Sequence, residues 1–335
     1  MQFTFFVGID VSKATLDFSV VTDAAEVLAF QTANTPKAIK TGLRQLKELN
    51  GFTMTQAVFC MEYTGIYNNH ICAVLQQEGG IIWLEKAIHI KRSSGLQRGK
   101  TDKIDAQRIA FFAFRNRDQV KCWHPTRPVL IKLKRLSVLR ERLLIIRSQL
   151  LKPVTESALF DDPEVCKLMK RHCRASANAV NADIKAVDKQ IKELIMEDPA
   201  LKQIFELVTS VVGIGSVIAC TMILTTNEFK NINDPKKYAC YAGVVPFEHS
   251  SGSSVRGKAR VSHFANKEVK RLLHLAALSI IRYEGELKSY WLRKIEEGKH
   301  KMIILNAIRN KLIQRVFAVV KRGTPFERIY ANALA

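Results

Sequence analysis

Four carboxylates in this 335-residue sequence have the types and spacing to hold a metal, and two of them stand where an acid is expensive to place. Asp10 follows the apolar run Val7-Gly8-Ile9, and Glu62 closes Val58-Phe59-Cys60-Met61. A charge at the end of a buried strand loses its hydration and is destabilising unless it is paired or meets a cation. Two such acids on neighbouring strands also repel, which is a physical reason to place a metal between them. Asp102 and Asp105, in Lys100-Thr101-Asp102-Lys103-Ile104-Asp105-Ala106, are three apart and share a face if the segment is helical. Oxygen donors without His or Cys suit Mg2+ or Mn2+ rather than zinc. Three of the four also have an ordinary role open to them, and Asp10 is the hardest to dismiss. Asp102 serves as a helix cap, Asp105 as a partner for Arg108 or Lys103, and Glu62 as a satisfied edge charge.

The elements that must carry these residues follow from hydrophobic periodicity. Residues 3–9, 16–22 and 27–32 read as three strands at hairpin spacing. Asn34-Thr35-Pro36 starts a helix over 37–49, closed by Asn50-Gly51. Short apolar runs at 57–61 and 81–84 flank a helix over 67–77. Consecutive strands followed by strands separated by helices describe a mixed sheet with helices against it. From about 129 to 197 the pattern turns to long helices. Leu136, Leu143 and Leu150, with Leu139 and Ile146, occupy heptad positions, as do Val180, Ile184, Val187, Ile191 and Leu194. Pro153 and Pro163 punctuate the segment between the two arrays, which pair either with each other or with a second subunit. Further on, Val211-Val212-Gly213-Ile214-Gly215 has the look of a helix-hairpin-helix turn. A polar Gly/Ser-rich loop over 249–258 and a basic helical stretch complete the chain.

Charge narrows the partners. Lys and Arg number 52 against 31 Asp and Glu, a formal net charge of +21, which calls for a polyanion or a strongly anionic surface. The excess gathers in three places. Lys86, Lys91, Arg92, Arg98, Lys100 and Lys103 crowd the approach to the Asp102/Asp105 segment. Lys132, Lys134, Arg135, Arg140, Arg142 and Arg147 decorate the first heptad helix. Arg256, Lys258, Arg260, Lys267, Lys270 and Arg271 follow the serine-rich loop. Any one of these reads equally as a solvated face; together they fit phosphate backbones. Seven scattered cysteines without a C-x-x-C pair support neither a disulfide scaffold nor a zinc ribbon. No apolar run reaches the roughly 20 residues that span a bilayer, and no secretory leader is evident. A cytoplasmic protein with no membrane partner is expected, and no G-x-x-x-x-G-K-[ST] phosphate loop points to ATP.

Three blocks, Gly8-Ile9-Asp10-Val11-Ser12-Lys13, Met61-Glu62-Tyr63-Thr64-Gly65 and Lys100-Thr101-Asp102-Lys103-Ile104-Asp105-Ala106, closely resemble in order and spacing those of the Piv-like DEDD transposases. These are insertion-sequence recombinases guided by a bridge RNA. The C-terminal half is similar as well, through Gly213-Ile214-Gly215, Tyr241-Ala242-Gly243-Val244-Val245-Pro246 and Ser250-Ser251-Gly252, so the resemblance covers essentially the whole chain. Related chains often carry Asn-Pro where this one has Leu84-Glu85-Lys86-Ala87, and a glycine at the position of Ala265.

The resemblance implies an α/β plus α protein in three regions. Residues 1–125 would form a RuvC-like, RNase H-like domain whose Asp10, Glu62, Asp102 and Asp105 hold Mg2+, with Mn2+ possible. Residues 126–200 would form coiled-coil assembly helices. Residues 201–335 would form a mainly helical transposase domain whose nucleophile is Ser251, directly before Gly252, with Ser250 the fallback. The partners implied are donor and target double-stranded DNA, a guide RNA and further copies of the chain, as a dimer assembling to a tetramer on the prokaryotic nucleoid. Lys91, Arg92, Arg98, Lys100, Arg256, Lys258 and Arg260 are the candidate nucleic-acid contacts. Two other functions compete. One is a RuvC-like junction resolvase or nuclease that hydrolyses DNA with water; the other is a non-catalytic nucleic-acid scaffold.

Overall fold

The computed structural model describes residues 3–93, 101–251, 255–261 and 264–327, with the backbone alone at 248–251 and 255–260. The chain divides into two compact units, Met1–Pro125 and Thr126–Ala335.

In the first unit β1 (Phe5–Val11), β2 (Thr15–Thr22) and β3 (Ala25–Ala33) follow one another as hairpins. β4 (Ala57–Glu62) and β5 (Ile81–Glu85) add on the other side of β1, giving the order β3-β2-β1-β4-β5. Pairing is antiparallel from β1 to β3 and parallel from β1 through β4 to β5. The five strands expected from the apolar runs are present. β1 lies two residues later than expected, so Asp10 sits within the strand rather than beyond its end. The central strands are buried on both faces, which is why they read as continuous apolar runs.

Alternation along β1 sorts its residues between two layers. Phe5, Val7, Ile9 and Val11 pack with Leu16, Phe18 and Val20 under α1 (Pro36–Lys47) and α2 (Asn69–Gln77). α1 starts where Thr35 accepts a hydrogen bond from the Ala38 N–H ahead of Pro36. Phe6, Val58, Cys60 and Trp83 face the opposite layer, where α4 (Asp102–Arg115) contributes Ile109, Ala110, Phe112 and Ala113. α3 (Ala87–Ser93) follows β5. Gly8 faces α4 as well. A Cβ there would lie 2.2 Å from both the Ala106 carbonyl oxygen and the Ala110 nitrogen, so the helix backbone rests directly on β1.

The second unit is helical apart from one hairpin. α5 (Pro128–Phe160) and α6 (Pro163–Glu197) pair with each other, tied by Arg140 to Asp188 at 2.5 Å and by Arg147 to Asn181 at 3.4 Å. The two heptad arrays therefore form a hairpin within the chain, with Ile184 and Val187 buried. α5 runs through Pro153, where a break was expected. Its last turns are held from outside, as Val154 and Ser157 are buried and the Cys166 thiol donates to the Ser157 carbonyl at 3.1 Å. Tertiary contact there offsets the hydrogen bond that proline removes.

α7 (Pro199–Ser210) and α8 (Ser216–Thr226) flank the Gly213 turn, where φ is +93°. α9 (Pro235–Tyr241) leads to β6 (Phe247–Ser251) and β7 (Val255–Arg260), then α10 (Lys267–Ile280), α11 (Glu286–Glu296) and α12 (Lys301–Arg322). The segment expected as a loop over 249–258 is thus an antiparallel hairpin. Its polar, small-residue composition hides strands whose backbones satisfy each other. Ala219, Ile223, Leu273, Ala277, Ile308, Leu312 and Val316 are among the core residues of this unit. No described helix is long and apolar enough to cross a membrane.

Candidate active site

Strand register gathers more acids than the sequence suggested. Asp10 on β1 stands opposite Asp17 on β2, and Glu62 on β4 is in register with Glu85 on β5. Because Gly8 pairs with Cys60, Asp10 and Glu62 share the parity that faces α4. A row of carboxylates, Asp17, Asp10, Glu62 and Glu85, therefore crosses one face of the sheet.

The two ends of the row have hydrogen-bond partners within the fold. Asp17, buried, receives the Gln31 amide at 3.0 Å on each carboxylate oxygen. Glu85, also buried, accepts from Trp83 Nε1 at 3.2 Å and from the Lys86 N–H at 2.9 Å, with His89 Nδ1 at 2.8 Å and Lys121 at 3.6 Å. Burial pushes the Glu85 carboxyl up, but those donors and cations outweigh it and hold it below the usual range. Asp10 has no such relief, and no described residue donates a hydrogen bond to it. Burial first, then the charges of Asp102, Asp105, Glu62 and Asp17, push its pKa up to about 6.

Those repulsions locate the helix acids. Thr101 caps α4 by accepting from the Ile104 N–H at 3.3 Å, so the cap is the threonine and not Asp102. Asp102 and Asp105 fill the first helical turn, where the helix dipole favours negative charge. The contact at Gly8 brings that turn to β1. The structure thus brings Asp10, Glu62, Asp102 and Asp105 into one electrostatic neighbourhood. Asp105 also pairs with Arg108 at 2.7 Å, the ordinary role open to it from sequence. Among the described residues no three Asp, Glu, His or Cys side chains converge closely enough to close on a metal ion.

Two buried amides fix the loops around this site. Asn68 donates to the Glu62 carbonyl at 2.9 Å and accepts from the Thr64 N–H at 2.7 Å, clamping the Tyr63-Thr64-Gly65 turn. Asn34 donates to the carbonyls of Ser12 at 2.9 Å and Tyr67 at 3.1 Å, linking the turn after Asp10 to the loop after Glu62. Sequence reasoning missed Asp17, Glu85, Asn34 and Asn68 as parts of the site. Glu85 was within reach, since it ends β5 as Glu62 ends β4, and Asp17 interrupts an apolar strand.

In the second unit Ser251 is the last residue of β6 and pairs with Val255, with Ser250 opposite Arg256. Side chains at 248–260, hence those of Ser250, Ser251, Arg256, Lys258 and Arg260, lie outside the described set, as do Arg98 and Lys100 altogether. Lys91 and Arg92 are exposed on α3. Some cations of the basic clusters already have partners, since Arg140 pairs with Asp188 and Arg271 with Glu141 at 3.1 Å. Gly243 packs against Ala265, as a Cβ on it would lie 2.5 Å from the alanine methyl. Only small residues fit both positions.

A sheet with acids at one end of α4, joined to a helical unit with a serine hairpin, has the parts of a DNA-processing transposase, and comparison with known proteins agrees. Residues 7–156 match a transposase family model of the DEDD IS110 type, and residues 205–292 match the transposase IS116/IS110/IS902 family. The chain is 26% identical over 328 residues to the pilin gene-inverting protein of Moraxella lacunata, covering 96% of this chain and 98% of that one. The Moraxella bovis protein of the same name is 25% identical over 330 residues, with the same coverage. A 43.6 kDa protein of insertion element IS110 from Streptomyces coelicolor is 27% identical over 154 residues, 46% of this chain and 36% of that one. The chain belongs to the IS110 family of transposases.

Proposed function

We propose that this transposase is an RNA-guided recombinase of an insertion sequence that breaks and rejoins DNA through a phosphoserine link at Ser251. The observation that carries the reading is the convergence of charge from Glu62, Asp102 and Asp105 on an Asp10 that meets no counter-charge among the described residues. The sheet order, three antiparallel strands followed by two parallel ones, supports a RuvC-like arrangement for residues 1–125.

An all-oxygen donor set whose negative charges converge on Asp10 fits a hard divalent cation. Mg2+, or Mn2+, held by Asp10, Glu62, Asp102 and Asp105 would neutralise charge on the scissile phosphate. The chain's own residues do the rest. Ser251 Oγ attacks phosphorus, and the P–Oγ bond forms as the bond from phosphorus to the departing sugar oxygen breaks. The serine proton ends on that oxygen. Bond energy is conserved in the phosphoserine ester, so attack by a different strand's hydroxyl reseals DNA without ATP. A serine hydroxyl needs activation for this, which the acidic site supplies from its own or a neighbouring subunit.

The Moraxella relatives are named for inverting a gene, which requires strands to be rejoined as well as cut. That favours strand exchange over a resolvase that hydrolyses with water. Assembly into a dimer and then a tetramer fits α5, whose Val138, Leu139, Ile145 and Ile146 remain exposed at 52%, 42%, 51% and 38% in the single chain. Guidance by RNA agrees with a strongly basic chain that lacks an RRM or zinc-knuckle signature.

Denaturing gels of a stalled reaction test the chemistry. Wild-type protein is expected to carry covalently attached DNA, and Ser250→Ala also. Ser251→Ala and Asp10→Asn are expected to bind DNA but form no adduct. Cleavage without any adduct would establish the hydrolase instead. Sequencing the copurifying RNA, then altering it to redirect insertion, tests the guide.

A further inference from the structure

Arg309 on α12 is 4% exposed and is the one buried cation among the described residues. Other buried charges have partners: Gln31 meets Asp17, His89 and Lys121 meet Glu85, and Lys230 meets Glu228 at 2.8 Å. No described carboxylate meets Arg309. Its Nη2 lies 2.7 Å from His274 Nδ1 on α10, its Nη1 is 3.4 Å from Asn306 Oδ1, and its Nε has no partner. Desolvation alone acts on the guanidinium and lowers its pKa. A buried cation without a counter-charge is strongly penalised, a cost that an anion brought near it would offset.

The path to that anion runs through the histidine. Guanidinium N–H groups only donate, so the His274 Nδ1 facing them must accept, which leaves the proton on Nε2. Burial and then Arg309 both depress the His274 pKa, keeping the ring neutral. Nε2–H, across the ring, meets no described residue. His274 is itself half-buried, and this donor is polarised by the positive charge behind it. Lys270 lies one turn earlier on the same face of α10, and its Cδ would be 3.6 Å from a Cβ on Gly243. Asn306 ties the group to the chain that carries the serine, since its amide donates to the Val244 carbonyl just before β6.

We infer that His274, Lys270 and the buried Arg309 form a phosphate-binding site at the foot of the Ser251 hairpin, where a DNA backbone phosphate is held. Arg309 acts through His274 as a positioning residue. Val244 and Ser251 are seven residues apart, at most about 23 Å of extended chain at roughly 3.3 Å per residue. That span covers about seven base-pair steps at roughly 3.4 Å each, so the site holds a phosphate flanking the scissile one. The DNA assignment rests on the recombinase reading; anion binding itself does not.

Melting of the full chain in rising inorganic phosphate, with duplex affinity measured against salt, tests the site. Wild-type protein should gain melting temperature with phosphate. Arg309→Met should melt no lower than wild type in phosphate-free buffer, lose the phosphate-dependent gain, and lower the salt slope of DNA affinity by about 0.9. His274→Phe should lose the same gain, and Arg309→Lys should recover part of it. A purely structural arginine predicts the reverse: lower melting for Arg309→Met with the phosphate response intact. Equal phosphate gain in wild type and Arg309→Met also overturns the site. Ser251→Ala should keep both responses, so a failed nucleophile assignment would show in the adduct assay alone.

Discussion

At Asp10 the fold concentrates negative charge that no described residue offsets, while it gives Asp17 and Glu85 on either side hydrogen-bond partners. The consequence is thermodynamic. In the folded chain the Asp10 pKa is about 6, against an ordinary 3.8. The folded state therefore holds a proton between those values that the unfolded state has released. The Asp10 contribution to stability is full below about pH 4 and is lost as pH rises through 6, where the folded carboxylate ionises among its neighbours. Asp10→Asn removes that loss. In EDTA at pH 8 the variant should be more stable than wild type by about 1 kcal/mol after solvent screening, and at pH 4 the two should coincide. Mg2+ should raise the melting temperature of wild type and leave the variant nearly unmoved. Thermal melts across pH, with and without Mg2+, read all three. A variant that melts lower at pH 8 would mean Asp10 is satisfied within the fold.

What places two of those neighbours is a helix lying directly on a strand. Gly8→Ala puts a methyl 2.2 Å from two backbone atoms of α4, and neither can turn aside. The helix must lift, taking Asp102 and Asp105 away from Asp10. Overpacking of this kind costs about 1–3 kcal/mol, and strand transfer should be lost along with it. Gly215→Ala is the control: nothing lies within 4 Å of its added Cβ, and both stability and activity should stay near wild type. Nothing in Val7-Gly8-Ile9 announces this contact, because a close approach is a property of two distant segments. The strands themselves were legible, since continuous apolar runs and the Thr35-Pro36 cap act locally. Asp10, Glu62, Asp102 and Asp105 were legible too, as acids in apolar or helical settings. The β6–β7 hairpin was not, because its serines and glycines carry loop composition and pairing alone makes it a sheet. Arg309 was hidden for a similar reason. An arginine in a basic C-terminal helix reads as surface charge until packing against α10 buries it.

Over the whole chain, a net charge of +21 and an apolar stripe on α5 point to different partners, and each has its own signature. Phosphate contacts release counterions, so an interface using six to ten of them should lose about 10^3 to 10^5 in affinity between 50 and 200 mM salt. A flat salt response would assign the charge to some other task. Contacts between copies through α5 should instead tolerate salt, because burial of apolar surface drives them. Arg140 and Arg147 are engaged across the α5–α6 hairpin, so pairing within the chain is fixed independently of Leu139 and Ile146 on the exposed side. Replacing both with asparagine should therefore leave the melting temperature of the single chain close to wild type. The same change should reduce the assembled species to monomer in light scattering at moderate salt. It should lower strand transfer at least tenfold if serine and carboxylates meet across subunits, and leave adduct formation near wild type if one chain supplies both. A wild-type chain that stays monomeric at every concentration, yet exchanges strands, would remove the need for assembly and place the whole reaction within one polypeptide.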